Sequence, residues 1–535
     1  MIETIAITDI RNWIRQNREF AFLDVREESA FSRSQPLFSV NLPLGRIAER
    51  ARAILPRQDV PIVLFDNNEG LVKRAIRQLN DLGYFNIQAV EGDLIAWRAA
   101  GGELFRDVGV PSKAFGEWLE AHAHTPSISA EELKRLIDAK ADVVVLDSRP
   151  FSEYGVMTVP TSINCPGAEL VLRAPSYILS PDTLVVVNCA GRTRSIIGAQ
   201  SLINSGLFNR VAALRNGTIG WLLAGFELER GADRKLEKPN DAQTQSAAAK
   251  LVAQKNGVRF LSPDEIRIWE TEASFHSLFR FDVRSPEETN ATHAPGYLPA
   301  PGGQLVQATD EYIGVRGARI VLGDDDGVRA CMTASWLRQM GWEHVAVVAD
   351  GLSSLLQPGP HPTAVAEPPF VPTIDAPDLA KLMKEQPVTI VDIARSSDYA
   401  KGHIPGAWFA VCSRFAEAIP SLPRANLTVL TSSDGSSASL ALADFQALSP
   451  NSAVALRGGT LSWRNEGLPL EAGLTRLAVP ADDIYKRPYE GTDSPREAMQ
   501  AYLDWEFGLV EQIRKDGTAN YRVLKPENIA GERHA

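Results

Sequence analysis

The sequence predicts an α/β protein built from four copies of one small parallel-sheet unit, followed by a partly helical tail. Three observations carry that expectation. Four apolar segments end in an acid with an arginine close behind: AFLDVRE at Asp24, VVLDSRP at Asp147, FRFDVRS at Asp282 and TIVDIARS at Asp392. A second apolar run follows each (PIVLF, LVVVN, RIVLG, LTVLT), and the residue just beyond it falls 42 positions after the acid in three copies and 40 in the fourth. A third run, IQAVEG, VAALRNG, VAVVADG or AVALRGG, closes each copy on a glycine-containing turn. Recurrence at a fixed spacing is the mark of a repeated architecture.

Each element has its own reason. The first runs are rich in β-branched and aromatic residues and lead into polar turns, as buried strands do. The second runs end at Asp66, Cys189, Asp324 and Ser432, and 13 residues further on stand Leu79, Leu202, Leu337 and Phe445, the spacing of the buried face of a helix entered from that turn. Trp97, Trp221 and Trp463 lie 31, 32 and 31 residues after the turn, with Leu355 in the third copy's slot. Strands alternating with helices imply parallel pairing, because parallel strands need a crossover. Ligands of such sheets sit beyond the carboxyl ends of the strands, where Asp66, Cys189, Asp324 and Ser432 fall.

Composition marks the joins. Polar RGADRKLEKPNDAQTQSAAAK, from Arg230, separates copies two and three, and proline-rich QPGPHPTAVAEPPFVP, from Gln357, separates three and four. The join between one and two, near Gly109 to Thr125, is shorter. The expected domains are 1–112, 113–235, 236–365 and 366–475, with a tail over 476–535. In the tail, Ser494 followed by Pro495 reads as an N-cap with proline at the first helical position.

A net charge of -11 gives no encouragement to nucleic acid or an anionic membrane, so any anion site has to be made locally. No run of 18 apolar residues occurs, and MIETIAITDIRNWIRQ lacks the basic start and apolar core of a leader, so the reading is cytoplasmic. Cys165, Cys189, Cys331 and Cys412 form no CxxC pair, which argues against a disulfide framework or a structural zinc site and for reduced thiols.

The stretch LVVVNCAGRTRSIIGAQ, from Leu184, places a thiol between a strand and a helix start. Free N–H groups and the helix dipole favour negative charge there, Arg192 and Arg194 add cationic charge, and Thr193 and Ser195 offer hydroxyls, so the thiolate is expected. Gly191 is expected to let the loop curl with Ala190 and its neighbours turning their N–H groups inward as an anion cradle.

With DYAKGHIPGAW from Asp398, the weaker THAPGY from Thr292, and the turns LRNGTIGW and LRGGTLSW, the whole pattern resembles a chain of four rhodanese-homology domains, the sulfurtransferase family. The resemblance covers about residues 5–473 and leaves the tail outside. It implies that Cys189 takes a sulfane sulfur from a donor such as thiosulfate as a persulfide and passes it to an acceptor: cyanide in an assay, a small thiol or a protein in the cell. Cys189 is the expected nucleophile, with the 190–195 loop binding the anion and no metal or organic cofactor. Asp66, Asp324 and Ser432 in the cysteine's place mark the other copies as inactive.

Two rival readings remain. A cysteine phosphatase or arsenate reductase shares such a cradle, but its C-x5-R pattern needs arginine six positions after the thiol, where Ser195 stands. A scaffold or persulfide sensor fits three lost thiols but does not require two arginines. Cys165, Cys331 and Cys412 are expected in packing, with a resolving role open for Cys165. Asp147 with Arg149 is expected to fix a strand end, Trp221 to anchor its helix, His293 and His403 to pack in turns, and Asp324 to Asp326 to be solvated caps.

Overall fold

The computed structural model describes residues 2–362, 370–449, 451–490 and 494–524. In every repeat five parallel strands pair in the order first, fifth, fourth, second, third. In the second repeat these are Ser127–Ile128, Val211–Leu214, Leu184–Asn188, Val143–Asp147 and Ile163–Asn164. Helices cover both faces, which is why the central strands read as unbroken apolar runs rather than alternating ones. On one face Val145, Val186 and Leu214 pack with Leu133 of the helix Ala130–Asp138 and with fully buried Trp221 of the helix Gly217–Leu223. On the other, the helix Thr193–Asn204 comes so close that a Cβ on Gly198 would stand 3.0 Å from Val187.

Register fixes where the turns emerge. The acid of the second strand pairs with the last residue of the fourth in all four repeats: Asp24 with Phe65, Asp147 with Asn188, Asp282 with Gly323 and Asp392 with Thr431. The next residue is Asp66, Cys189, Asp324 or Ser432, so the repeats place their loop heads equivalently. In the first three repeats the acid is clamped by the arginine two residues on, at 2.6 Å, with both partners buried. This is the strand-end role expected of Asp147 and Arg149. In the fourth repeat the arginine is displaced to Arg395, and Asp392 accepts instead from the Ala394 N–H at 2.9 Å. Burial then pushes the Asp392 carboxyl up to about 7.

The chain forms two compact units. One holds Met1–Asn12, Glu19–Val108 and Thr363–Lys486, and so contains repeats one and four; within it Arg77 meets Asp444 at 2.7 Å. The other holds Trp13–Arg18, Gly109–Pro362 and Arg487–Ala535, containing repeats two and three with the tail. Within this second unit Arg329 reaches Glu169 at 3.0 Å, and Trp336 Nε1 donates to Ser201 Oγ at 2.9 Å.

The joining stretches carry helices of their own. The segment near Gly109 to Thr125 is the helix Val110–Ala123, entered at Gly109 with φ 61° and Pro111 in its first turn. The polar stretch after Arg230 contains the helix Gln243–Lys255. Part of the proline-rich stretch, 363–369, lies outside the described residues. The tail helix runs Arg496–Asp516, but Ser494 is not its cap: Pro495, at ψ 145°, holds the chain extended up to the first helical residue. Met499, Tyr502, Leu503, Glu506, Leu509 and Ile513 form its buried stripe at helical spacing. Among the described residues no helix is long and apolar enough to cross a membrane.

Candidate active site

The loop from Cys189 leaves the strand Leu184–Asn188 and enters the helix at Thr193. Its carbonyls are taken by the glycine turn: Thr218 N–H donates to Cys189 O at 2.9 Å and Ile219 N–H to Ala190 O at 3.0 Å. Since N–H and C=O point oppositely across a trans peptide, the amides of Ala190 and Gly191 face the other way. Gly217 makes this possible, with φ 54° and an ideal Cβ that would lie 2.3 Å from Cys189 O. Repeat four builds the same junction, Thr460 N–H donating to Ser432 O at 2.9 Å beside Gly459.

What fills the loop separates the repeats. The amide six residues after the loop head turns to the head's side chain each time. Val72 N–H donates to Asp66 at 3.1 Å, Ala330 N–H to Asp324 at 2.9 Å, and Ala438 N–H to Ser432 Oγ at 3.2 Å. Leu71 and Asn68 add two donors to Asp66, and Gly327 one to Asp324. Repeats one and three therefore occupy their own anion cradle with a carboxylate. In repeat two the equivalent amide belongs to Ser195, and hydrogen bonding from Ser195 lowers the Cys189 thiol. Of the acids after Asp324, Asp326 caps the helix start, accepting from the Val328 N–H at 2.8 Å, but both Asp325 and Asp326 are paired with Arg329, at 2.6 Å each, rather than simply solvated.

Cys189 itself is 2% exposed. Burial raises its pKa, against the pull of Arg194 and Ser195, so the expectation of a readily formed thiolate needs correction. The arginines are not free cations. Arg194 is held by both oxygens of Glu153, at 2.8 Å each. Arg192 meets Glu117 at 2.6 and 2.9 Å, also pairs with Glu120, donates to Asn216 Oδ1 at 3.2 Å and lies over the Phe507 ring. The Arg194–Glu153 pair recurs in repeat three as Arg329–Glu288, at matching positions but with no thiol at the loop head, so pairing alone does not mark it as functional. Arg192 has no such counterpart, because its equivalents are Glu69, Gly327 and Gly435.

Ala190, Thr193 and Ser195 are buried with the thiol, Ser195 Oγ donating to Arg192 O at 2.8 Å. Thr193 sits where the helix Val110–Ala123 approaches closely at Gly116, whose Cβ would be 2.9 Å away. Gly191 does not curl the loop through a left-handed conformation. Its missing side chain instead admits the tail helix: a Cβ there would stand 3.2 Å from both Tyr502 Cε1 and Glu506 Oε2.

Residues from outside the repeat motif thus complete the site. Tyr502 and Leu503 pack with Ile219 of the glycine-turn helix, and Arg496 donates to Leu222 O at 2.9 Å and Leu223 O at 2.7 Å. Tyr502 OH donates to Glu506 Oε1 at 2.8 Å, and Lys113 lies 5.2 Å from the Tyr502 ring. Sequence reasoning missed Glu117, Glu120, Tyr502, Glu506 and Phe507, which no repeat register reaches. Glu153 had a signal, an acid six residues after the strand acid that recurs as Glu288 and Asp398. All four cysteines are free. Burial raises the Cys165, Cys331 and Cys412 thiols as well, the last two to about 12.

The family profile described as Rhodanese-like domain matches residues 7–100, 129–224 and 375–466. A solved structure described as thiosulfate sulfurtransferase from Pseudomonas aeruginosa is similar over 98% of this chain and 100% of that one, with 49% identity and a TM-score of 0.94. A rhodanese-related protein from Thermoplasma volcanium is 24% identical over 19% of this chain and 99% of that one, with a TM-score of 0.18. A rhodanese-like domain protein from Staphylococcus aureus is 25% identical over 19% and 97%, with a TM-score of 0.17. No curated protein matches.

Proposed function

The chain belongs to the rhodanese-like family, and from that premise we propose that it is a sulfurtransferase carrying a sulfane sulfur on Cys189, from a donor such as thiosulfate to cyanide or a thiol. One observation carries the proposal most. Of four equivalent loop heads two are carboxylates and one a hydroxyl, each bonded to its own loop amide, and Cys189 alone can accept and release a sulfur atom. The similar Pseudomonas aeruginosa protein is named for thiosulfate, which supports that donor.

In the first displacement Cys189 gives its thiol proton to solvent and bonds the sulfane sulfur as thiolate, the sulfur–sulfur bond of thiosulfate breaks, and sulfite departs with the electron pair. The persulfide left behind is an anion among loop amides at a helix start, where such charge is stabilised. An acceptor nucleophile then takes the outer sulfur and returns the thiolate. Ala190, Gly191, Thr193 and Ser195 form the cradle, Arg194 supplies positive field, and Arg192 holds the loop to the helix Val110–Ala123. A reducing, cytoplasmic setting is part of the proposal.

The test is mass analysis after exposure to thiosulfate, beside thiocyanate release on adding cyanide. Sulfur should appear on the Cys189 peptide and disappear with cyanide, and Cys189→Ser should do neither. Phosphate release from an aryl phosphate without any thiocyanate would sink the proposal.

A further inference from the structure

The tail helix brings the buried carboxyl of Glu506 against the loop. Glu506 is 1% exposed, Oε1 is satisfied by Tyr502 OH, and Oε2 is buried without a hydrogen-bond partner. That oxygen lies against the loop, 3.2 Å from where a Cβ on Gly191 would stand, and Gly191 is two residues along the chain from Cys189. Buried polar atoms are normally satisfied, and one that is not asks for a partner that comes and goes.

Its charge state follows from its neighbours. The helix Val110–Ala123 presents Glu117 and Lys113, the loop presents Arg192, and its own helix presents Tyr502. Arg192 is committed to Glu117 and Glu120. Desolvation and the Glu117 charge outweigh Lys113, Tyr502 and Arg192, and push Glu506 up to about 8. At neutral pH it therefore carries a proton.

We propose that Glu506 is the proton donor of this site, protonating sulfite as it leaves and recovering a proton from the incoming thiol. The proposal rests on the sulfur-transfer reading above. Once the Cys189 thiol has given its proton to solvent, the thiolate bonds the sulfane sulfur in the first half, the electron pair of the broken sulfur–sulfur bond goes to sulfite, and the Glu506 proton follows it. Hydrogen sulfite, a persulfide anion and a carboxylate result. In the second half the carboxylate takes the thiol's proton, the new thiolate bonds the outer sulfur, and Cys189 leaves with the pair as thiolate. No oxidant or metal is needed, and the enzyme returns to its starting state.

The experiment compares the unaltered protein with Glu506→Gln, which keeps the shape but not the proton. The rate of sulfur gain on Cys189 is followed with two donors. Thiosulfate expels basic sulfite, whereas the methanethiosulfonate anion expels a sulfinate too weakly basic to need protonation. Glu506→Gln should be slower by roughly 100-fold with thiosulfate and close to the unaltered rate with methanethiosulfonate. Equal slowing with both donors would make Glu506 a packing residue and overturn the proposal, as would no slowing with thiosulfate. If the unaltered protein gains sulfur from neither donor, the sulfur-transfer reading itself fails and takes this proposal with it.

Discussion

At the scale of single residues, electrostatics around the thiol is a contest that burial wins. Arg194 is the strongest group pulling Cys189 down, and Glu153 opposes it. Glu153→Gln should therefore leave Arg194 uncompensated and move the pH dependence of Cys189 alkylation to lower pH, while Arg194→Met moves it higher; labelling rates across pH decide. Asp392 behaves in the opposite sense from Asp147, whose carboxyl the Arg149 guanidinium holds below its ordinary value against burial. Its folded pKa of about 7 lies above the value of about 4 expected when unfolded, so its contribution to stability is full at acid pH and is lost as pH rises through 7. Asp392→Asn should accordingly raise the thermal midpoint more at pH 8 than at pH 5. The residues themselves explain what was legible. Cys189, Arg192, Arg194 and Ser195 stand in one short stretch of a repeat whose phase singles out the thiol, but the carboxylates that pair with the arginines come from other elements. A sequence shows which charges exist and not which are already spent.

Among the elements, the tail helix Arg496–Asp516 does most to set the character of the site. Its apolar stripe, with Leu503 fully buried, holds it on the glycine-turn helix and on Val110–Ala123. Leu503→Ala removes packing worth about 2–5 kcal/mol and should loosen this cover. Cys189 should then be alkylated faster while Cys165 and Cys331 stay slow, as peptide mapping would show. Gly217→Ala tests the other side of the loop: a side chain at φ 54° and 2.3 Å from a carbonyl cannot be fitted without displacing Cys189, and sulfur gain should fall sharply. The repeated strands and helices were readable because each carries its own periodicity. The helix Val110–Ala123 looked like a join, because only the packing it receives reveals it as structure, and the tail's partner had no echo in any repeat.

Over the molecule as a whole, one architecture is used four times and a thiol heads the loop in one of them. Asp66→Ala and Asp324→Ala remove a loop cap in their own repeats, at a cost of about 0.5–2 kcal/mol each, and should leave sulfur gain at Cys189 unchanged. Both measurements are needed, since lost activity would mean that repeats one and three take part in the reaction. The self-filled loops have a further consequence for the protein in salt. Sulfate and phosphate at high concentration compete for any vacant ring of backbone donors, yet Asp66 and Asp324 have already taken those seats from within the chain. Inhibition by such ions should therefore follow a single-occupancy curve, with one ion excluding one donor molecule, however many look-alike turns the polypeptide displays.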